Sequence, residues 1–367
     1  MAKKADFNIL MVGGRRTGKT SVLASFLEGY QTAFAGANLT LTAETGTIPV
    51  MHDKIQILRN VFAAHSPYDE FDPDVDTNRT IERIDYFFTM RITGKENPNY
   101  TLRFTDVPGE WFLMPGNAEV EELFRETNVM IIAIDTPHLM ECDEQGRGYG
   151  RYHEAFNSTG VFTNNIMDKF LISESGFASK KMVLFMPLKC EKYFQEKRPD
   201  GKIRTSEIPD AIEKGYKNLL KHLQGEKLRT NCQVAIVPVQ TMGNFVFSRF
   251  GEDENGYVIK HQTRMVPMYS LYCFPNERAY NEGLQPKYCE QPLAYILTYI
   301  LKMAVSVGNA PTWWEKIKKI LRDLAAFVGI LRVANDKEIQ NAMAEVSKTI
   351  EKSAANGFKI IQNPLNF

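Results

Sequence analysis

Residues 6–24 read Asp6-Phe-Asn-Ile-Leu-Met-Val-Gly-Gly-Arg-Arg-Thr-Gly-Lys-Thr-Ser-Val-Leu-Ala24. Phe7 to Val12 is a short apolar run of strand type that ends at Gly13. The next eight residues, Gly13-Gly14-Arg15-Arg16-Thr17-Gly18-Lys19-Thr20, fit the pattern G-x-x-x-x-G-K-[ST] at every fixed position. Val22, Leu23 and Phe26 then share one face of a helix predicted over 21–29. The motif therefore lies between a strand and a helix, the context in which it captures anions. Glycines let successive backbone N–H groups turn inward, and the helix N-terminus adds partial positive charge. This predicts a nucleoside-triphosphate site built from Gly13, Gly14, Arg15, Arg16, Thr17, Gly18, Lys19, Thr20 and Ser21. Lys19 would reach the β- and γ-phosphates, and the Thr20 hydroxyl would ligate Mg²⁺.

The chain has 367 residues, of which 44% are hydrophobic, so it can bury a full core; length suggests two or so domains. Lys plus Arg equals Asp plus Glu at 44 each, which leaves no global field favouring nucleic acid or an anionic membrane. Five scattered cysteines (142, 190, 232, 273 and 289) form no C-x-x-C pair, which points to a reducing compartment and away from structural zinc. The start resembles a signal peptide superficially, but its apolar run is short and flows into the glycine loop. No stretch approaches the roughly eighteen apolar residues of a membrane span. The expected location is cytoplasmic.

Residues 31–50 read as a loop, and Met51, Ile55, Leu58 and Phe62 predict a helix over 51–64. An acidic, Pro-containing segment from Ser66 to Asp76 reads as exposed. Strict alternation from Ile84 to Ile92 predicts a half-buried strand, and turn residues 94–99 lead to a second, antiparallel strand over 100–105. That strand ends at Asp106-Val-Pro-Gly109-Glu110, where a carboxylate can hold a Mg²⁺-bound water and Gly109 can offer an N–H to a γ-phosphate. Apolar runs at 129–134, 182–186 and 234–239 predict buried parallel strands. Between and after them, 138–158 reads as loop, 161–172 and 206–224 as helices, and 251–290 as loop. The expected fold is an α/β three-layer sandwich: a mostly parallel sheet with one antiparallel strand, and the nucleotide at the strand C-termini.

This order of motifs resembles the translation-factor and Ras-like (TRAFAC) class of P-loop GTPases over roughly residues 5–250. Within the class it looks most similar to the bacterial "double-GTPase" families. The resemblance implies GTP and GDP as ligands with Mg²⁺. It also implies a first switch at Thr80-Ile81-Glu82, with Thr80 joining Thr20 and Asp106 around the metal and Thr77 as its neighbour and rival. The family's base-reading N-K-x-D stands here as Leu188-Lys189-Cys190-Glu191, and Gln240-Thr241 stands where the family has S-A-K. Lys189 can lie along a purine and Glu191 can accept N–H groups from guanine, with Thr241 closing over the base; the family's Asn is absent. Glu110 replaces a water-orienting Gln. Arg15 and Arg16 replace small residues, either to add positive charge across the β–γ bridge in cis or to project to solvent or a partner.

The C-terminal third divides the chain into a motif-bearing unit over 1–308 and a helical appendage over 309–367. Leu293 to Val307 reads as a buried helix closing the sheet. A helix opening at Pro311-Thr-Trp-Trp314 carries an apolar stripe with Lys316, Lys318, Lys319 and Arg322 off it. Such a stripe packs against its own domain or a protein partner more often than against a lipid surface. A thinner stripe follows over 337–355. Three functions remain open: a Mg²⁺-dependent GTPase switch whose switch loops and tail engage a protein partner, a nucleotide-gated scaffold with little hydrolysis, and an ATPase or small-molecule kinase.

Overall fold

The computed structural model describes residues 6–23, 25–26, 39–73, 82–92, 99–113, 117–141, 152–157, 164, 180–197, 199–201, 203–262, 265–289, 291–293, 295–297, 299–300 and 357–364. Strands within them are β1 (Phe7–Val12), β2 (Leu39–Ala43), β3 (Ile84–Ile92), β4 (Asn99–Asp106), β5 (Val129–Asp135), β6 (Lys181–Leu188), β7 (Cys232–Ile236), β8 (Val246–Phe250), β9 (Ser270–Cys273) and β10 (Lys359–Gln362). The α-helices of five residues or more are α1 (19–23 and 25–26), α2 (Thr47–Ala63), α3 (Ala118–Glu126), α4 (Thr136–Met140), α5 (His153–Asn157), α6 (Glu191–Gln195), α7 (Glu207–Gly215), α8 (Lys217–Leu223), α9 (Glu277–Glu282) and α10, seen in parts of 291–300.

Eight strands form one sheet in the order β10-β7-β6-β5-β1-β4-β3-β2. β4, β1, β5, β6 and β7 are mutually parallel, and β3 runs against both β4 and β2. Period-two alternation divides the core between the two faces. Phe7, Ile9 and Met11 of β1 pack with Val22, Leu23 and Phe26 of α1 and with Tyr295, Ile296, Leu297, Tyr299 and Ile300 of α10. Leu10 and Val12 face Val120, Leu123 and Phe124 of α3 and Ile208, Ile212, Leu219 and Leu223 of α7 and α8. Each such side chain stabilises the fold by about 1.5–3 kcal/mol. The result is the expected three-layer α/β sandwich, with the C-terminal ends of five parallel strands along one edge. Among the described residues no helix is long and apolar enough to cross a membrane.

Several local expectations change. The stretch 31–50 is not all loop: residues 39–43 add β2 to the outer edge of the hairpin, and α2 begins at Thr47. Thr40 and Thr42 of β2 are β-branched residues that suit a pleated edge, a signal masked by their polarity. Within 138–158, short helices occupy 136–140 and 153–157. The 206–224 helix breaks at Tyr216, whose ψ of 25° interrupts the ladder between α7 and α8. The last parallel strand spans Cys232–Ile236, but Val237 and Val239 continue to donate to Phe185 and Pro187.

Residues 251–290 are likewise more ordered than a loop. β8 and β9 form a separate two-stranded sheet and α9 follows. Together with Phe62 of α2 and Phe71 they build a third core that includes Phe245, Phe247, Phe250, Tyr272 and Phe274, with Phe62 and Phe245 ring centroids 4.5 Å apart. The segment 309–367 is not helical to its end. Residues 359–362 pair antiparallel with β7 as β10, a second reversed strand, with Phe358 buried beside them. The predicted helices over 161–172, 311–334 and 337–355 lie outside the described residues, apart from position 164.

Candidate functional site

Pairing of β1 with β4 sets Met11 beside Asp106, so the glycine loop and the Asp106–Gly109 loop leave the sheet as neighbours. The Thr20 hydroxyl, in the first turn of α1, donates to Asp106 Oδ2 at 2.6 Å. Gly109 lies so close to the first loop that a Cβ there would stand 2.6 Å from Arg15 N and 2.8 Å from Gly14 C. Only a residue without a side chain permits that approach. Gly18, at φ +94°, turns the chain into α1, and its carbonyl accepts the first helical bond from Val22 N. Ser21 follows within that first helical turn.

Lys19 is 7% exposed, and its ammonium donates to Gly13 O at 3.1 Å and Gly14 O at 3.0 Å. Two of its three N–H donors are thereby used. Burial lowers its pKa, opposed by the charges of Asp106 and Glu110. A buried cation beside a helix N-terminus is an environment that an incoming anion relieves. The Thr17 hydroxyl closes the loop on Gly14 O at 3.0 Å.

Arg15 and Arg16 diverge. Arg15 Nε lies 3.6 Å from Glu110 Oε1, each side chain about one-third exposed. Arg16 is exposed, and its guanidinium donates to Met268 O at 3.4 Å, in the loop between β8 and β9. Arg15 thus stays at the mouth of the loop, whereas Arg16 reaches a neighbouring segment. Of the two alternatives, Arg15 keeps to the loop mouth and Arg16 projects away from it. Thr80 and Thr77 fall outside the described residues.

Lys189 and Glu191 follow β6 on the same edge. Lys189 Nζ donates to Arg16 O at 2.7 Å, lies 3.2 Å from Asp135 Oδ2 and stands 5.8 Å above the ring of Tyr272. Glu191 is fully buried, and its Oε1 accepts from Met242 N at 2.8 Å and Gly243 N at 3.3 Å. Its Oε2 is buried with no donor among the described residues. Burial pushes the Glu191 carboxyl up to about 7, and the two N–H donors only partly offset this. Thr241 is 6% exposed, beside Gln240, which pairs with Lys287. A Cβ on Gly243 would stand 1.8 Å from Gln285 O, so the 283–287 segment lies directly on this loop.

A buried polar group behind the glycine loop was not anticipated. Asp135, at the end of β5, caps α4: its Oδ1 accepts from His138 N at 3.1 Å and lies 2.6 Å from His138 Nδ1. Asp135 N donates to Asn157 Oδ1 at 3.0 Å, and Asn157 Nδ2 is 3.0 Å from His153 Nδ1. Burial alone would raise the Asp135 carboxyl, but His138 and Lys189 hold it well below the usual range. Burial drives His153 down to about 4. The available signal was Asp135-Thr-Pro-His138, a side-chain cap with Pro at the helix start. Among the described residues no cluster of three His, Cys, Asp or Glu could hold a metal. The oxygen pair of Thr20 and Asp106 nonetheless has the hard-donor chemistry that suits Mg²⁺.

No protein-family model matches the chain, and no curated protein matches it. Among solved structures it is similar to the GTPase-like domain of Ski7 from S. cerevisiae, crystallised with GTP, at 14% identity and a TM-score of 0.32. The match covers 69% of this chain and 46% of that one, so it spans less than half of the solved chain. The likeness is too slight to assign a function.

Proposed function

We propose that the chain is a Mg²⁺-dependent GTP-binding switch of the TRAFAC class, akin to the double-GTPase families, that hydrolyses GTP to GDP and phosphate. The observation that carries this reading is the 2.6 Å contact between Thr20 Oγ1 and Asp106 Oδ2. It joins two loops that are 86 residues apart in sequence through the two oxygen donors a phosphate-bound magnesium ion needs. Thr20 and Asp106, with Thr80, would hold the ion, which would neutralise charge developing on the phosphates.

The chain's own residues do the rest. The backbone N–H groups of 14–21 bind and orient the phosphates, and Lys19 supplies a fixed, desolvated charge at the β–γ bridge. Gly109 offers its N–H to the γ-phosphate while holding the two loops in register. Glu110 orients the attacking water, and Arg15, already beside it, supports charge on the γ-phosphate; Arg16 acts instead toward the β8–β9 loop. Glu191 Oε2 accepts from the base, with the Lys189 stem and Thr241 around it. The motif-bearing unit covers 1–308 with β10 added at its sheet edge, and the stretch between them serves, with the switch loops, as the surface for a protein partner.

A second reading is favoured by Glu191, which is already engaged by Met242 and Gly243. On it, the chain binds a purine triphosphate with little selectivity or hydrolysis and acts as a nucleotide-gated scaffold. Nucleotide released by denaturing the purified protein, together with GTP and ATP turnover by wild type and Lys19→Ala, separates the two. GTP turnover lost in the variant supports the switch. Binding without turnover supports the scaffold, and no uptake of either nucleotide with Mg²⁺ present sinks both.

A further inference from the structure

We propose that Asp135 is a positioning residue of the nucleotide site: acting through Lys189, it holds the Arg16 peptide of the glycine loop in its left-handed conformation. This deepens the reading above and rests on it for the ligand, though not for the geometry.

Arg16 has φ +65° and Lys189 has φ +58°, a region that L side chains rarely adopt. Residues held there are strained and persist only where their surroundings over-determine them. The two strained peptides belong to facing loops 173 residues apart, and one bond joins them, from Lys189 Nζ to Arg16 O. Lys189 is 4% exposed, so a counter-charge is needed to keep its ammonium ionised there. Asp135, with no exposed surface, lies 3.2 Å away.

Asp135 is itself fixed at three points. Its second oxygen takes both His138 donors, and its backbone N–H is held by Asn157. An ionised carboxylate only accepts, so Nδ1 is the protonated nitrogen of His138. α5 also reaches the loop directly, since a Cβ on Gly14 would meet Phe156 O at 2.4 Å. Strand β5 and its buried polar group thus form a rigid support, and Lys189 is the strut between that support and Arg16. Turning the Arg16 carbonyl toward Lys189 orients the neighbouring N–H groups for an anion.

The test is amide hydrogen exchange over residues 14–18 in the nucleotide-free full chain, paired with affinity for a fluorescent GTP analogue. Asp135→Asn is expected to speed exchange there tenfold or more and to weaken the analogue at least tenfold. Asp135→Asn with Lys189→Met, which keeps the interior neutral should the single variant fail to fold, is expected to match Lys189→Met alone. Wild-type protection at 14–18 in these variants overturns the proposal, as do losses that add in the double variant. Faster exchange in a protein whose wild type takes up no nucleotide leaves the positioning role standing and removes the GTPase reading instead.

Discussion

The phosphate side and the base side of the candidate site use the same sheet edge in opposite ways. Around Lys19, Thr20, Asp106 and Gly109, two loops meet through backbone and small residues, and Arg15 and Glu110 remain one-third exposed. Around Lys189, Glu191 and Thr241, the strand ends lie under the aromatic core of the β8–β9 hairpin, and Glu191 is engaged by backbone N–H groups. One half depends on close main-chain approach, the other on side-chain burial. Substitutions should therefore separate them, with binding effects on the first and folding effects on the second.

The largest expected effect is on the base side. Phe245 is fully buried and touches the rings of Phe62, Phe71, Tyr272 and Phe274, so Phe245→Ala should destabilise the protein by about 3–5 kcal/mol. Denaturant unfolding followed by two probes would show it. A loss confined to the hairpin, with the main sheet unfolding as before, would break the picture of one cooperative unit. Next comes Lys19→Ala, expected to leave the melting temperature near wild type while weakening triphosphate binding by about 2–3 kcal/mol, measured by calorimetry. Unchanged affinity would remove the phosphate side from function.

Gly109→Ala mixes both outcomes, since its Cβ would meet the backbone of Arg15 and Gly14. Overpacking of this kind costs about 1–3 kcal/mol and should also slow hydrolysis by displacing the loop. The smallest effect is a pH dependence. Folding raises the Glu191 carboxyl from 4.5 to about 7, so the folded state holds a proton that the unfolded state releases. Stability from this group is therefore lost as pH climbs from 4.5 to 7 and is flat above. Glu191→Gln should gain about 1 kcal/mol on wild type between pH 6 and pH 7 in paired denaturant titrations. Its GTP affinity sharpens the comparison: a drop means the carboxylate reads the base, and no change means it only caps the 242–243 loop.

What was legible in the chain follows the same division. The order strand, glycine loop, helix, hairpin and three buried strands could be read because continuous apolar runs and fixed motif spacing report on local structure. That Thr20 meets Asp106 followed from sheet order, given two loops at the same edge. The role of Asp135 was hidden because its contacts depend on α4, α5 and β6 arriving together, and nothing local marks a carboxylate as the partner of a lysine 54 residues on. β10 was hidden for a related reason. Lys-Ile-Ile-Gln is too short and too polar at its ends to announce a strand, and it becomes one only because β7 offers a free edge.

That strand finishes the sheet on its β7 side. It is sewn to β7 by Phe358 and the three carbonyls that Gln362 engages, those of Leu223, Leu228 and Cys232. Without it, β7 would be an exposed seam for another chain to occupy.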